Sequence, residues 1–495
     1  MVPSNAMKPK STTILVDLGG IFMHPAAENK LQAHGSTLSL RRIMSTSDWM
    51  TYECGLLSEQ ECFAKLAEKY HFQASDLTDM IRKLRKTTTY DQAVASIFRE
   101  IKRTGARIFL VSNISKEDYA ALRASWDEDF WSIFDGVFTS SALGVRKPSL
   151  AFYRHVLRVT RAVPHQTFFI DDRPENVLAA LSIGIKGTFE TATLYRTLTN
   201  FIGDPVARGL AFLRRQNGIF PTTTQQNETI AENYGPLLIL EVLKDRSLVN
   251  LKCPLRLWNF FSGEPPSVFY LAIQELTIYL GDPKYTSDTY PDDLDTTSLG
   301  LLTIPPDPAI VHSVLDEMHD YIDEDGNVQI YFDHSRPRVD AVISLNVLTL
   351  FHKYGRSHEI PGTMEWIYNI LLNRAYINGT RYYPNAEWFL YYLTRLLGAS
   401  SDPTLQERFE APLRKRVAER VGADGDACCL GMRVLTCNYL GIENHPDRKK
   451  LADMQQEDGG WEASYMYMFP GADRKVGNRG TSSAFAVKAL ENWTG

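Results

Sequence analysis

Short apolar runs alternate with longer helical patterns over about the first 200 residues. The runs are rich in β-branched and aromatic residues, and each is followed by polar residues and then by apolar positions at helical spacing. This pattern is typical of buried parallel strands in an α/β sheet. Three such runs are Ile14-Leu15-Val16, Ile108-Phe109-Leu110-Val111 and Phe168-Phe169-Ile170. The pattern predicts an α/β domain over residues 1–205.

From residue 236 to the end, apolar residues recur mostly at helical spacing, and short polar loops separate the helical patterns. Examples are SVFYLAIQELTIYL at 267–280, DAVISLNVLTLFHKYG at 340–355 and EWFLYYLTRLLG at 387–398. Helices of this length predict an all-α bundle or toroid over 236–495. The stretch 206–235 ends in PTTTQQNETIAENYG and has no strong periodicity, so it predicts a linker or surface loop.

Two segments of the helical region look like copies of one unit. One begins at Asp323 and the other at Gln455. In both, an Asp-Gly pair precedes an aromatic loop, which is followed by basic residues and an apolar helix. Repeated helical pairs build α-barrels, because each pair buries the apolar face of its neighbour.

The composition indicates a globular protein. Hydrophobic residues make up 44% and aromatic residues 11% of the 495 positions, enough for well-filled cores. The formal net charge of −6 argues against a nucleic-acid partner, which usually requires a basic face. The six cysteines show no zinc-ligand spacing, and we find no run of about 18 uncharged apolar residues. We therefore expect a cytoplasmic protein without a membrane span.

Polar residues that can carry chemistry follow the predicted strands. The first run ends at Asp17, the second at Ser112-Asn113 and the third at Asp171-Asp172, while Lys147 lies between the last two. In an open α/β sheet, ligands bind at the carboxyl ends of the strands. These side chains are therefore predicted to converge on one site.

The order of these residues resembles the haloacid dehalogenase superfamily, which has a Rossmann-like fold, across nearly the whole first 205 residues. The resemblance implies that Asp17 is a covalent nucleophile toward phosphorus and that Ser112, with Asn113 beside it, and Lys147 hold the phosphoryl group. It also implies that the helical patterns at about 24–105, such as SEQECFAKLAEKY, form an inserted cap.

The same resemblance implies a Mg²⁺ site formed by Asp17, Asp171 and Asp172, with Glu175 completing a DDxxE string. DDxxE also resembles the metal motif of class I terpene synthases, but its position after an apolar strand favours the hydrolase assignment. One departure from the family pattern is Gly19, which replaces the second aspartate of DxD, usually the general acid for the leaving group. Its loss matters most for an alkoxide leaving group and less for a phosphate.

The string Asp293-Leu294-Asp295-Thr296-Thr297 resembles the DxDTT motif of class II terpene cyclases. Those enzymes protonate an alkene, a very weak base, so the donor is a carboxylic acid kept neutral in an apolar cavity. The resemblance implies that Asp295 is the acid and that Asp293, Thr296 and Thr297 orient it. Without the resemblance, the same residues equally fit a turn or a helix cap.

Gln455-x-x-Asp458-Gly459-Gly460-Trp461 resembles the QW motif of triterpene and class II diterpene cyclases, and it lies in the same predicted domain as DxDTT. About 260 residues suffice for one α-barrel. A hydrolase-like domain joined to one such barrel resembles the drimane-type sesquiterpene synthases over essentially the whole chain. The resemblance implies that farnesyl diphosphate is cyclised to a drimenyl or albicanyl diphosphate, followed by removal of the diphosphate.

Other residues fit this interpretation. Arg336 and Arg338 are candidates for binding the substrate diphosphate, because arginine suits bidentate phosphate contacts. Aromatic residues after the acid can stabilise a carbocation through their ring faces. They include Tyr382, Tyr383, Tyr391 and Tyr392. His334 and Asn346 are candidate partners for the acid or the final base.

Three functions therefore stay open from the sequence. The first is a bifunctional cyclase and phosphatase. The second is a cyclase that releases the cyclic diphosphate, with a structural first domain; Gly19 favours it. The third is a small-molecule phosphatase with a helical interaction domain. The oligomeric state and the terminating base stay open as well.

Overall fold

The computed structural model describes residues 12–23, 30–33, 36–189, 192–225, 227–262, 291–469 and 474–493. The helical pattern at 267–280 and parts of the predicted cap lie outside these residues. The chain divides into two compact units, Met1–Ile202 and Gly203–Gly495. None of the helices within the described ranges is long and apolar enough to cross a membrane.

A five-stranded parallel sheet forms the centre of the first unit. The strands of this unit are β1 (Thr13–Val16), β2 (Lys30–Ala33), β3 (Ser36–Ser39), β4 (Arg107–Ser112), β5 (Gly136–Thr139), β6 (Thr167–Ile170) and β7 (Lys186–Thr188). The sheet has the order β5-β4-β1-β6-β7, and β2 and β3 form a separate antiparallel pair. Val16 is paired with Leu110 on β4 and with Ile170 on β6, so the three central strands end close to the same level.

The helices of this unit either cover the two faces of the sheet or form the cap. They are α1 (Leu40–Met44), α2 (Ser47–Glu53), α3 (Glu59–Tyr70), α4 (Ala74–Thr87), α5 (Gln92–Arg103), α6 (Lys116–Ser125), α7 (Glu128–Trp131), α8 (Ser140–Leu143), α9 (Leu150–Thr160), α10 (Pro174–Leu181) and α11 (Leu194–Ile202). A short 3-10 turn lies at Pro164–Gln166. Successive strand residues face opposite sides: Ile14 and Val16 belong to one apolar core and Leu15 to the other. Burial on both faces explains the continuous apolar runs in the sequence.

The cap is smaller than the predicted range of 24–105. Residues from Ile43 to Ile81 have an apolar core of their own, built around Trp49 and Phe63. Helix α5, by contrast, buries Phe98 in the core of the sheet, where its ring lies 5.0 Å from that of Phe22. The apolar face of α5 therefore packs against the sheet and not against the cap. A helical pattern alone does not say which of two neighbouring cores a stripe faces.

The second unit is mostly helical. Its helices are α12 (Pro205–Arg215), α13 (Tyr234–Leu243), α14 (Leu294–Thr303), α15 (Pro308–His319), α16 (Ala341–Lys353), α17 (Pro361–Asn373), α18 (Ala386–Ala399), α19 (Pro403–Ala418), α20 (Ala427–Leu440), α21 (His445–Asp453) and α22 (Arg479–Leu490). Within its described residues, 3-10 turns lie at Arg246–Leu248 and Ser357–Glu359. Four short strands form one small sheet: β8 (Thr222–Thr224), β9 (Thr229–Ile230), β10 (Tyr467–Phe469) and β11 (Arg474–Gly477).

Six of these helices form a closed ring, because each packs against the next in the order α13-α14-α16-α18-α20-α22 and α22 packs against α13. The ring helices are buried almost all round: every residue of α16 from Ala341 to Phe351 is buried. A helix that is apolar on all sides is the interior of a larger assembly. The unit is therefore an α-barrel, as the helical repeats predict.

The predicted linker at 206–235 contains regular structure. It holds most of α12, both β8 and β9, and the start of α13. Phe212 and Leu213 of α12 are buried in the barrel core, and Val476 of β11 pairs with Thr224 of β8. The linker interpretation is therefore replaced by a packed segment. Strand β8 pairs with the nearby β9 on one side and with β11, about 250 positions later, on the other, so a local pattern does not reveal the whole sheet.

The QW-like motif joins three helices of the barrel. Trp461 is fully buried, and its indole nitrogen donates to the carbonyl of Leu451 at the end of α21 (2.7 Å). The Gln455 amide donates to the carbonyls of Gly459 (2.8 Å) and Pro205 (2.9 Å). A Cβ on Gly209 of α12 would lie 3.0 Å from the Trp461 ring. The Trp461 backbone N–H donates to the Ser483 hydroxyl of α22 at 3.0 Å, so the motif is a brace between α12, α21 and α22.

Replacing Trp461 with alanine should therefore lower the free energy of unfolding by about 3 to 5 kcal/mol, since it empties a fully buried site. Thermal melting measures the loss. Trp366→Ala is the matched control, because that side chain is only partly buried against the same core. Equal losses of melting temperature in the two variants would contradict the role of Trp461 as a brace.

Candidate active sites

Asp295 lies in the first turn of α14 and is 2% exposed. Every residue of this helix from Leu294 to Leu301 is buried. The carboxyl group is therefore held inside the barrel by a short helix that is itself part of the ring. A carboxylate without a countercharge is costly in such surroundings.

Two polar side chains from other ring segments contact the Asp295 carboxyl. The Asn346 amide of α16 donates to Oδ1 at 2.5 Å, and the Tyr383 hydroxyl, from the loop before α18, donates to Oδ2 at 2.5 Å. Both partners are fully buried. Each carboxyl oxygen therefore has one fixed donor.

The other residues of DxDTT have different roles from the predicted one. Asp293 is the N-cap of α14, and its Oδ1 accepts from the Thr296 backbone N–H at 2.6 Å. The Thr297 hydroxyl binds the backbone of Trp258, accepting from its N–H (2.9 Å) and donating to its C=O (3.2 Å). The Thr296 side chain interacts with the Asp293 carboxyl. These residues position the helix that carries Asp295, while its direct donors come from elsewhere.

A chain of tyrosine hydroxyls continues from Tyr383. The Tyr234 hydroxyl on α13 is hydrogen-bonded to that of Tyr383 and, at 2.6 Å, to that of Tyr392 on α18. All three tyrosines are fully buried. Burial raises the pKa of each hydroxyl above the range in which it ionises near neutral pH. The chain is therefore neutral and can both donate and accept.

A second chain continues from Asn346. Its amide oxygen accepts from Arg395 Nη1 of α18 at 2.6 Å, and Arg395 forms an ion pair with Glu241 of α13. The Arg395 and Glu241 side chains are 11% and 13% exposed. The two chains thus connect Asp295 to residues on three other ring helices, α13, α16 and α18.

The electrostatics of Asp295 suit a proton donor. Burial raises the pKa of Asp295 to about 7, although the hydrogen bonds from Tyr383 and Asn346 act in the opposite direction. Burial and the neighbouring Asp295 also raise the pKa of Asp293 well above its usual range. A neutral carboxylic acid in an apolar barrel can protonate a weak base that a solvated carboxylate cannot.

Aromatic rings pack around Tyr467, next to Tyr383, one of the two donors to Asp295. The Tyr467 ring centroid lies 5.0 Å from Phe260, 5.5 Å from Tyr382 and 5.6 Å from Tyr383. Rings at these distances pack in stable offset or edge arrangements. Such faces stabilise a cation without offering a nucleophile.

The predicted diphosphate-binding arginines lie on the segment that follows Tyr331, whose backbone bridges to Asp293. The Arg336 side chain is mostly buried, contacts Asp333 Oδ2 at 3.2 Å and lies 5.9 Å from the centre of the Tyr331 ring. The backbone carbonyl of Arg338 accepts a hydrogen bond from the Ile330 N–H at 2.9 Å, which holds Arg338 next to the residue before Tyr331. The two arginines therefore lie on a segment adjoining α14.

His334 does not join this site in the structure. Its ring is exposed and stacks on Tyr321 at 4.4 Å. It is not among the hydrogen-bond partners of Asp295. Of the two candidate partners predicted from the sequence, only Asn346 contacts the acid.

Sequence reasoning missed Arg395, Glu241 and the hydrogen-bonding role of the tyrosines. One signal was available: Arg395 is a charged residue inside the apolar pattern of α18, and a buried charge needs a partner. The tyrosines were interpreted as ring faces, because a sequence does not show where a hydroxyl points.

The first unit holds a second candidate site at the ends of β1, β4 and β6. The Lys147 ammonium is 1% exposed and donates to Asp17 Oδ1 (2.8 Å), Asp171 Oδ2 (2.6 Å) and the Val111 carbonyl (2.9 Å). Asp17 directly follows β1 and Asp171 directly follows β6. The level ends of the parallel strands thus bring together residues that are far apart in sequence.

Asn113 orients Lys147 through its backbone. The Asn113 amide donates to the Lys147 carbonyl and accepts from the Lys147 N–H, both at 2.9 Å. Asn113 therefore holds the lysine loop, and its amide is engaged by that loop instead of being directed at a phosphate. Ser112 is the last residue of β4, and its side chain is buried.

The donor set of this site fits a magnesium ion. Oxygens of Asp17, Asp171 and Asp172 lie within 4.8 Å of one another, and carboxylates are ligands that Mg²⁺ prefers. A Cβ on Gly20 would lie 2.3 Å from the Asp172 carboxyl, so the glycine leaves room for that ligand. Glu175 is not part of this group; it is exposed and lies 3.9 Å from Arg173.

Comparison with known families matches both units. A haloacid dehalogenase-like hydrolase model matches residues 23–184, and a sesquiterpene cyclase astC-like C-terminal domain model matches residues 206–354. The drimenol cyclase drtB of Aspergillus calidoustus is 37% identical over 482 residues, which cover 96% of this chain and 87% of that protein. The sesquiterpene phosphatase astK of Aspergillus oryzae is 30% identical over 182 residues, 36% of this chain and 90% of that protein.

Solved structures resemble parts of the chain at low identity. A HAD family enzyme from Bacteroides thetaiotaomicron, crystallised with magnesium and inorganic phosphate, is 18% identical with a TM-score of 0.30, covering 37% of this chain and 95% of that one. The type II terpene cyclase MstE from Scytonema is 12% identical with a TM-score of 0.41, covering 58% of this chain and 96% of that one. On the sequence relationship over nearly its whole length, the chain belongs to the drimane-type sesquiterpene synthases, in which a haloacid dehalogenase-like domain precedes a class II terpene cyclase domain.

Proposed function

We propose that this protein cyclises farnesyl diphosphate to a bicyclic drimenyl or albicanyl diphosphate and then hydrolyses the product toward the sesquiterpene alcohol. The observation that carries the proposal is Asp295, a fully enclosed carboxyl with a pKa of about 7 and a fixed donor on each oxygen. The relationship to a drimenol cyclase over 96% of the chain argues against a phosphatase with an unrelated helical domain.

In the cyclisation step, Asp295 gives its proton to the distal double bond of the substrate. The resulting cation is attacked by the next double bond, two rings close, and loss of a proton yields the bicyclic diphosphate. The aromatic rings around Tyr467 stabilise the cation and exclude water that would quench it. Arg336 and Arg338 are the candidates for binding the diphosphate, because guanidinium groups bind phosphate oxygens in pairs.

In the hydrolysis step, Asp17 attacks the terminal phosphorus, the P–O bond to the bridging oxygen breaks, and the terpenyl monophosphate leaves. Water then hydrolyses the acyl phosphate on Asp17 to release phosphate, and a second round releases the alcohol. Lys147 holds Asp17 in place and offsets negative charge. A magnesium ion bound by Asp17, Asp171 and Asp172 would supply further charge neutralisation.

A monofunctional cyclase is the second candidate, and Gly19 is the observation that favours it. A Cβ at this position would lie 3.8 Å from Asp17 Oδ2, where the family's second aspartate would begin. The side chain that usually protonates the leaving group is therefore missing there. In this alternative the first unit is structural and the cyclic diphosphate is the final product.

Incubation with farnesyl diphosphate and magnesium tests the proposal. Mass spectrometry of the carbon skeletons, with and without added alkaline phosphatase, should detect a bicyclic drimane. A free drimane alcohol without added phosphatase supports the bifunctional enzyme. A bicyclic product only after phosphatase treatment supports the monofunctional one, and purely acyclic products contradict both.

The rate of cyclisation should fall as pH rises through about 7. Asp295 must be protonated to act, and its pKa of about 7 means that the neutral form dominates below this pH and disappears above it. Initial rates between about pH 5 and about pH 9, with enzyme stability measured across the same range, check this. A rate that stays constant or rises above about pH 7 would contradict the assignment of the acid.

A further inference from the structure

Arg395 is a cation enclosed in the wall of the barrel, two hydrogen bonds away from the carboxyl group of Asp295. Its Nη1 donates to Asn346 Oδ1 at 2.6 Å, and its other terminal nitrogen is held by Glu241. The guanidinium carbon lies 4.4 Å from the centre of the Tyr392 ring. The head group is thus fixed on three sides and does not touch Asp295 directly.

The chemistry of the guanidinium group decides how Asn346 is oriented. Arginine carries only donors, whereas an asparagine amide has one accepting oxygen and one donating nitrogen. The amide oxygen must therefore face Arg395, and the amide nitrogen must face Asp295. A flipped amide would place two donors against each other at Arg395.

This orientation decides what Asn346 offers to the acid. Because the amide nitrogen donates to Oδ1, Asn346 cannot accept the proton of the neutral carboxyl. The Asn346 nitrogen also faces the Tyr234 oxygen at 3.4 Å, which favours donation from Tyr234 onward to Tyr383. Tyr383 then donates to Oδ2, so neither partner accepts the proton of the acid, which stays available for the substrate.

We propose that Arg395, held by Glu241, is the positioning residue that sets the direction of the hydrogen bonds at Asp295 and so keeps the proton of the acid free for transfer to the substrate. The inference rests on the proposed cyclisation and adds a residue to it. The rival explanation is a structural one, in which the ion pair merely joins α13 to α18.

Variants of Arg395 in the full-length protein separate the two explanations. Arg395→Gln places an amide there, which can accept as well as donate and so lets Asn346 flip. Arg395→Lys keeps a group that only donates. Arg356→Gln is the matched control, since Arg356 also forms ion pairs, with Glu359 and Asp316, in the same unit.

For Arg395→Gln we expect the kcat of cyclisation to fall about tenfold or more, with the KM for farnesyl diphosphate unchanged within about twofold. The lost interaction acts on the proton and not on substrate binding. Arg395→Lys should stay within about tenfold of the wild-type kcat. Arg356→Gln should keep the wild-type kcat, although the loss of its ion pairs lowers its melting temperature.

The pH profile supplies a readout that a purely structural ion pair would not move. The positive charge of Arg395 lowers the pKa of Asp295, so the falling limb of the profile should shift to higher pH in Arg395→Gln and stay in place in Arg395→Lys. The titratable and charged groups that act on Asp295 or are acted on by it are Asp293, Asp340, Arg395, Tyr383, Tyr234 and Tyr392. All except Arg395 are unchanged in these variants.

A wild-type kcat in Arg395→Gln, or equal losses in Arg395→Gln and Arg356→Gln, would overturn the proposal. If Arg395→Gln does not fold, Arg395→Lys decides: a loss as large as that of Asp295→Asn would also overturn it. A wild-type protein that forms no bicyclic product would instead disprove the proposed function itself.

Discussion

Replacing Asp295 with asparagine is expected to abolish ring closure while leaving the barrel folded. The amide has nearly the same shape as the carboxyl, but it has no acidic proton to transfer to an alkene. General acid catalysis typically contributes about 10² to 10⁴-fold, and here no other group in contact with the substrate is assigned that role. Each tenfold loss corresponds to about 1.4 kcal/mol of activation free energy.

Product formation from farnesyl diphosphate, read as bicyclic skeletons by mass spectrometry, measures this effect. Asp426→Asn is a suitable control, because Asp426 caps α20 and asparagine is also a good N-cap. Both variants should melt close to the wild type. A bicyclic product formed by Asp295→Asn at close to the wild-type rate would refute the proton-donor assignment.

Replacing Asp17 with asparagine is expected to change the product without stopping ring formation. Only the phosphorus nucleophile is lost, and cyclisation is assigned to a different unit of the chain. The released product should switch from the free alcohol to its phosphorylated form. Because of Gly19, some phosphorylated product is expected from the wild type as well.

Phosphorus NMR of the reaction mixture measures this switch, with Asp127→Asn as a control that caps α7 outside the site. If the wild type accumulates only the intact cyclic diphosphate, the bifunctional enzyme is refuted and the structural first unit remains. A cyclisation loss as large as that of Asp295→Asn would mean that the first unit helps to bind the substrate.

The hydrolase site could be predicted from the sequence because most of its residues directly follow an apolar strand. A buried parallel strand has an apolar run that ends where the chain leaves the sheet, and Asp17, Ser112 and Asp171 stand at such ends. Parallel strands with level ends bring these positions together without further information. The same reasoning did not place Glu175 or separate α5 from the cap, since both depend on which surface a helix packs against.

The sequence by itself determined the two fold classes, the family and the position of the candidate acid, because periodicity and short motifs record these features within a few residues. Only the tertiary structure decided what surrounds Asp295. Asn346 and Tyr383 lie 51 and 88 residues away along the chain, and Arg395 is hydrogen-bonded to the acid through Asn346. Closure of the helical ring sets these contacts. Periodicity shows which face of a helix is buried, but it does not show which side chains from other helices meet there or which way their hydrogen bonds run.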